Sequence, residues 1–159
     1  MPRHLEMSAT GQLLLSDHQR LDALFQRLLD DVQCGDWRVC QATWSSFERQ
    51  LLEHLETEEK YLLPIFERDY PNETEGLLEE HASIRRLLAD LGVRIELHAL
   101  REQHVRHFIQ FLQAHAAREE SLLYGRAKDL PPDVAKALAD RFGVQQGTGT
   151  NDLDRRASR

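Results

Sequence analysis

The chain is short of several things, and each shortage removes a class of protein. No apolar run approaches the roughly 20 residues needed to span a bilayer; Leu13-Leu14-Leu15 is the longest near the start. No secretion signal precedes it, so a cytoplasmic location is expected. Cysteine is nearly absent. Cys34 and Cys40 stand alone in a C-x5-C spacing with no second thiol pair for a structural zinc site, and both are expected to be reduced. Basic balance is missing too. The net charge is −7, and the one basic cluster is Arg155, Arg156 and Arg159 in a polar tail, which argues against a nucleic-acid partner. Strand-type alternation appears nowhere.

What remains is a soluble, globular composition, 41% hydrophobic and 30% charged over 159 residues, which fits one domain with a sizeable core. Helical spacing runs through it. Residues 1–15 read as an irregular lead-in. Ser16 with Gln19 reads as a capping box for a first helix carrying Leu21, Phe25, Leu28 and Val32 on one stripe. A break at Cys34-Gly35-Asp36 follows. A second helix bears Trp44, Phe47, Leu51, Leu62 and Ile65, with Pro64 kinking its last turns. Tyr70-Pro71 ends it, and Asn72 with Glu75 signals a third start. The third helix shows Leu77, Ile84, Leu88, Leu91 and Ile95, and the fourth Val105, Phe108, Leu112 and Leu122. A short fifth helix is predicted over Asp133 to Phe142. The domain is therefore placed at residues 1–142, and residues 143–159 read as a disordered polar tail.

The first helix pair repeats in the second. Asp17-His18-Gln19-Arg20-Leu21 aligns with Glu80-His81-Ala82-Ser83-Ile84, and His54-x-x-x-Glu58-Glu59 with His115-x-x-x-Glu119-Glu120. Pro64 and Gly125 fall at equivalent positions. Two antiparallel helices bring two residues to one height when the turn lies midway between them. The midpoint of His18 and His54 is Asp36, in the first turn. That of His54 and His81 falls just before Tyr70-Pro71, and that of His81 and His115 is His98. All four histidines therefore share one layer of an up-down-up-down four-helix bundle.

His54, Glu58, His115 and Glu119 occupy core stripes where apolar residues belong, and His18 and His81 align with the stripes of their own helices. A buried unpaired carboxylate is costly, and a cation reverses that sign. His and Glu at i and i+4 lie on one face of a helix, one turn apart. Imidazole with carboxylate suits iron, zinc and manganese, and the lack of core thiolates argues against a soft-metal site. Six ligands exceed a structural zinc complement, so two ions are expected. His18 and His54 would hold one, His81 and His115 the other, with Glu58 and Glu119 bridging. With an oxide or hydroxide bridge, two six-coordinate ions would retain open positions for dioxygen, peroxide or nitric oxide. Glu59 and Glu120, one position away, are alternative ligands, although a solvated face is the expectation for them. His98, His104 and His107 read as surface residues, and His4 as uninvolved.

From His18 to Gly125 this pattern resembles the hemerythrin-like family, the HHE cation-binding domain. The resemblance implies a left-handed four-helix bundle around a non-haem di-iron centre that can bind dioxygen. Oxygen-carrying hemerythrins have a second histidine on the third helix where this chain has Arg85. Their fourth-helix carboxylate is an aspartate at the position of Glu120; Glu119 is preferred here because it matches Glu58 in the repeat. The four-histidine, two-glutamate set is more similar to bacterial HHE proteins and to di-iron proteins of iron–sulfur repair. Ferritin-type bundles use Glu-x-x-His on two helices, a motif this chain lacks. Three functions follow: a di-iron protein that binds or senses a small ligand or handles iron, a di-iron enzyme of peroxidase, catalase-like or oxidase type, or a purely structural bundle. For the enzyme, Arg85 would face a bound anionic peroxide, with Tyr61 or Tyr124 near the metals.

Overall fold

A computed structural model describes residues 8–147. The described chain is all helical: α1 (Ala9–Cys34), α2 (Trp37–Thr57), a π turn (Glu58–Leu62), α3 (Leu63–Phe66), α4 (Pro71–Glu96), α5 (Glu102–Leu122), a 3-10 segment (Tyr124–Asp129) and α6 (Pro132–Gly147). The four long helices pack in a ring, α1 on α2, α2 on α4, α4 on α5 and α5 on α1. No described helix is long and apolar enough to cross a membrane.

Helix α1 begins well before Ser16. Ser8 is its N-cap and accepts from the Gly11 N–H at 3.1 Å. The Ser16 signal loses because Leu14, in the supposed lead-in, is fully buried. Burying a leucine stabilises by about 2 kcal/mol, more than a typical cap at about 1 kcal/mol. Residues 1–7, including His4, lie outside the described residues, as do the arginines of the tail. Gly35 closes α1 at φ +74°, in the left-handed region that glycine enters without penalty. Asp36 then caps α2 through the Arg38 and Val39 N–H groups.

The kink expected at Pro64 is a π turn. The Leu63 N–H reaches back five residues to the Glu58 carbonyl, and Pro64, which has no N–H to give, follows in the first turn of α3. Helix α4 starts at Pro71 rather than after Asn72, with Tyr70 as its N-cap. Proline suits the first helical position, where its missing donor has no partner anyway. The α4–α5 turn centres on His98, at φ +54° and stacked on Trp37. Gly92 is internal to α4, packed against Trp44. Helix α6 runs on to Gly147, past the expected boundary at Phe142; residues 148–159 lie outside the described residues.

Two apolar clusters divide the interior. One gathers Phe25, Trp44, Phe47, Leu88, Ile95 and Phe108 toward the α1–α2 and α4–α5 turns. The other gathers Leu14, Leu62, Leu77, Leu123, Leu138 and Phe142, with α6 as its cover. Along each long helix a polar layer separates them: Leu14–His18–Leu21, Leu55–Glu58–Leu62, Leu77–His81–Ile84 and Leu112–His115–Glu119–Leu123. The bundle thus places these His and Glu side chains between two apolar blocks.

Candidate metal centre

All six residues expected to form the site converge in this layer. Glu58, His81 and Glu119 are fully buried, His54 and His115 nearly so, and the His18 side chain is 10% exposed. The Nε2 atoms point inward. His54 Nε2 lies 3.1 Å from Glu58 Oε1, and His115 Nε2 lies 2.9 Å from Glu119 Oε1. His81 Nε2 lies 3.1 Å from Glu119 Oε1 and 3.5 Å from Glu58 Oε2. His18 Nε2 lies 3.3 Å from Glu119 Oε2 and 3.1 Å from His54 Nε2. Two groups of possible ligands result: His18, His54, Glu58 and Glu119, and Glu58, His81, His115 and Glu119, each with its donor atoms within 4.8 Å of one another. The glutamates are common to both.

The outward nitrogens have partners that the sequence reading missed. His54 Nδ1 donates to Asp17 (2.6 Å), His115 Nδ1 to Glu80 (2.6 Å), His81 Nδ1 to Glu59 (2.9 Å) and His18 Nδ1 to Glu120 (3.2 Å). These acids occupy repeat-related places, one residue before a histidine or one residue after an inner glutamate. That adjacency was the available signal. A carboxylate only accepts, so each imidazole carries its proton on Nδ1. Such hydrogen bonds orient a histidine ligand and raise its basicity. Arginines steady three of the four: Arg20 on Asp17, Arg118 on Glu80, and Arg85 forked on Glu59 at 2.7 and 3.1 Å. Arg118 lies across Gly76, where an added Cβ would come within 2.6 Å of its guanidinium.

Arg85 therefore braces Glu59 at the periphery and does not face the inner atoms. Tyr61 sits by Lys60, outside the layer. Tyr124 is buried, and its hydroxyl donates to His18 Nε2 at 2.7 Å and lies 3.4 Å from Glu58 Oε1. Phe142 of α6 packs its ring 5.5 Å from that of His54. His104 is spent on the α5 N-terminus, where its Nδ1 accepts from the Arg101 N–H. Cys34 and Cys40 are both free thiols.

The inner set is short of protons. With Nδ1 holding the imidazole protons, four Nε2 lone pairs and two carboxylates face one another. The Tyr124 O–H is the one inward donor among the described residues that pair with them. Glu58 Oε2, Glu119 Oε2 and His115 Nε2 are buried with no hydrogen-bond partner. An unpaired buried carboxylate costs several kcal/mol, so the layer requires cations. In the metal-free protein, protons fill that role. Burial opposes charge on His54, but Glu58 and Asp17 outweigh it and lift its pKa well above the usual value. His115 is raised in the same way, burial being overcome by Glu119 and Glu80. Burial would raise Glu119, but the imidazoles of His115, His18 and His81 set against it hold it well below the carboxylate range. Burial, with Glu58 and Glu119 behind it, pushes the Tyr124 hydroxyl up. A metal cation would satisfy the same acceptors.

Comparison with known proteins agrees with this chemistry. No curated protein and no solved structure matches the chain. A family model does, that of the hemerythrin HHE cation binding domain, over residues 11–127. That match takes in all four long helices from Gly11 of α1 onward, both ligand groups and Tyr124, and on this ground the chain belongs to the hemerythrin HHE cation-binding domain family.

Proposed function

We infer that the chain is a non-haem di-iron protein that binds or senses a small diatomic ligand, dioxygen or nitric oxide, in an up-down-up-down, left-handed bundle. His18 and His54 would hold one ion and His81 and His115 the other, with Glu58 and Glu119 available to both. The observation that carries the reading is the proton-poor inner set: six acceptor side chains, five of them buried, in two groups of possible ligands, with the outer nitrogens already pinned by carboxylates. The ions would supply open coordination positions and reversible one-electron chemistry. The protein's own part is to fix the imidazole orientation through Asp17, Glu59, Glu80 and Glu120, and to exclude water with apolar blocks on both sides. Zinc and manganese suit the same donors, so the metal is a matter for measurement. Metal analysis of anaerobically purified protein, with optical spectra before and after air, tests the reading. Two irons per chain and an air-dependent charge-transfer band support it; one zinc and no response to air contradict it.

A di-iron enzyme of the peroxidase type is the second reading, and Tyr124 favours it. Its O–H is the one hydroxyl aimed at the inner atoms among the described residues, placed to give a proton to a small ligand beside His18. If it does, Tyr124→Phe abolishes peroxide turnover while leaving iron content unchanged. Turnover at the parent rate removes this reading.

A further inference from the structure

The step along the chain that carries His54 to His115 and Glu58 to Glu119 also carries Pro71 to Pro132, Leu77 to Leu138 and His81 to Phe142. Helices α4 and α6 both open on that proline. The pattern Leu14-x-x-x-His18 of α1 and Leu77-x-x-x-His81 of α4 thus returns in α6 as Leu138-x-x-x-Phe142. All three leucines are fully buried in the second apolar block. Helix α6 is therefore a third copy of the start of a hairpin, with phenylalanine where the ligand histidine stands. It lies beyond residue 127, where the family match ends.

This third copy does not join the ring of four. It packs on α1 and on the π turn that begins at Glu58 and Glu59. Its hold is narrow. Val134, Leu138 and Phe142 form one stripe at i, i+4 and i+8, with Leu138 and Phe142 buried and Val134 partly so. Arg141 lies against Tyr61 of the π turn. Phe142 rests its ring 5.5 Å from that of His54. The link from α5 is the 3-10 segment, then Leu130 in extended backbone and Pro131. The opposite apolar block is built from all four long helices. The wall over His54 is therefore the one that opens without the ring coming apart, and elements with few buried contacts open at lower free energy than the whole fold.

We propose that α6 is a hinged lid, latched by Phe142, whose opening admits metal ions to His54 and Glu58 and lets them leave. The passage of metal rests on the function inferred above; the opening of α6 does not. A hydrated cation does not cross a packed apolar wall, and His54 and Glu58 are sealed from solvent with the lid down. Phenylalanine suits the latch because it fills the histidine's place in the pattern without offering a lone pair. It seals the layer and does not compete for the ions.

Hydrogen exchange and metal transfer test this on the full chain. In the metal-free protein the amides of α6 should exchange together, at least about tenfold faster than those buried in α1 and α4. Phe142→Ala should speed α6 exchange further. In that variant, iron(II) release to excess chelator and iron(II) uptake by the metal-free protein should both rise about tenfold, leaving affinity at the parent level. A residue that merely oriented His54 would speed release alone. Val134→Ala, about two turns before Phe142, should give the same paired rise at about threefold. It carries the test if Phe142→Ala fails to fold. Exchange of α6 only with the whole fold, release rising without uptake, or parent metal rates in a variant whose α6 opens faster overturns the proposal. A chain whose α6 opens but that retains no iron refutes the inferred function and leaves the lid standing.

Discussion

At the α2/α4 seam Arg85 forks onto Glu59, Glu59 fixes His81, and the His81 side chain is wholly buried. At the α1/α5 seam Asp22 stands in the place of Arg85, Glu120 holds His18 without an arginine among the described residues, and the His18 side chain is 10% exposed. The inner atoms are nearly the same on both sides. The difference lies one layer out, in whether a cation ties the outer carboxylate down. Near-symmetry of ligands is therefore compatible with one braced side and one accessible side, and Tyr124 sharpens the inequality, since Leu63 occupies its repeat position.

The largest expected effects come from the shared glutamates. On the proposed di-iron reading, Glu119→Ala takes a carboxylate from both groups and should abolish retention of both irons, whereas His54→Ala or His81→Ala should cost only the ion on its own side. Iron counting after desalting checks this, and equal losses in all three variants would break the division into two sides. Next come the outer acids. Glu59→Gln should weaken metal binding by about 10- to 100-fold, the range for loss of a carboxylate behind a histidine ligand. Glu120→Gln, at a more exposed position, should fall at or below the low end. Competition with a chelator measures both, and a larger effect at Glu120 contradicts the account.

The dependence on pH separates loaded from metal-free protein. Raised His54 and His115 pKa values mean that the metal-free fold binds protons more tightly than the unfolded chain. Their stabilising contribution is complete below about pH 6.5 and is lost as pH rises through the raised values. Metal binding instead requires those protons to leave and weakens as pH falls. The gap in melting temperature between loaded and metal-free protein should widen above about pH 6.5, and a gap that narrows contradicts the competition. The smallest effects are at the seams themselves. Arg85→Ala should cost about 1 kcal/mol, since its pair with Glu59 is partly exposed. Asp22→Ala should change stability by no more than about 0.5 kcal/mol. Denaturant unfolding of the metal-free protein compares them.

The long helices and the inner layer were legible because periodicity and an internal repeat carry them. Leu77, His81, Ile84 and Leu88 state a helix face and its polar interruption in one line of sequence. The outer acids were not legible in the same way. Glu59 and Glu120 sit beside a buried residue on a helix, where a solvated face is the ordinary outcome, and their partners His81 and His18 come from other helices. The start of α1 was missed because Ser16 offers a local capping signal, while the burial of Leu14 depends on the second apolar block and α6. The π turn was expected only as a kink: Pro64 announces an irregular backbone but not which carbonyl the preceding N–H will choose.

Anomalous diffraction at the iron edge, on crystals of anaerobically purified protein, tests the central claim most directly. The account predicts two peaks, one between His18 and His54 and one between His81 and His115, both within reach of Glu58 and Glu119. A single peak, or none in this layer, would contradict it.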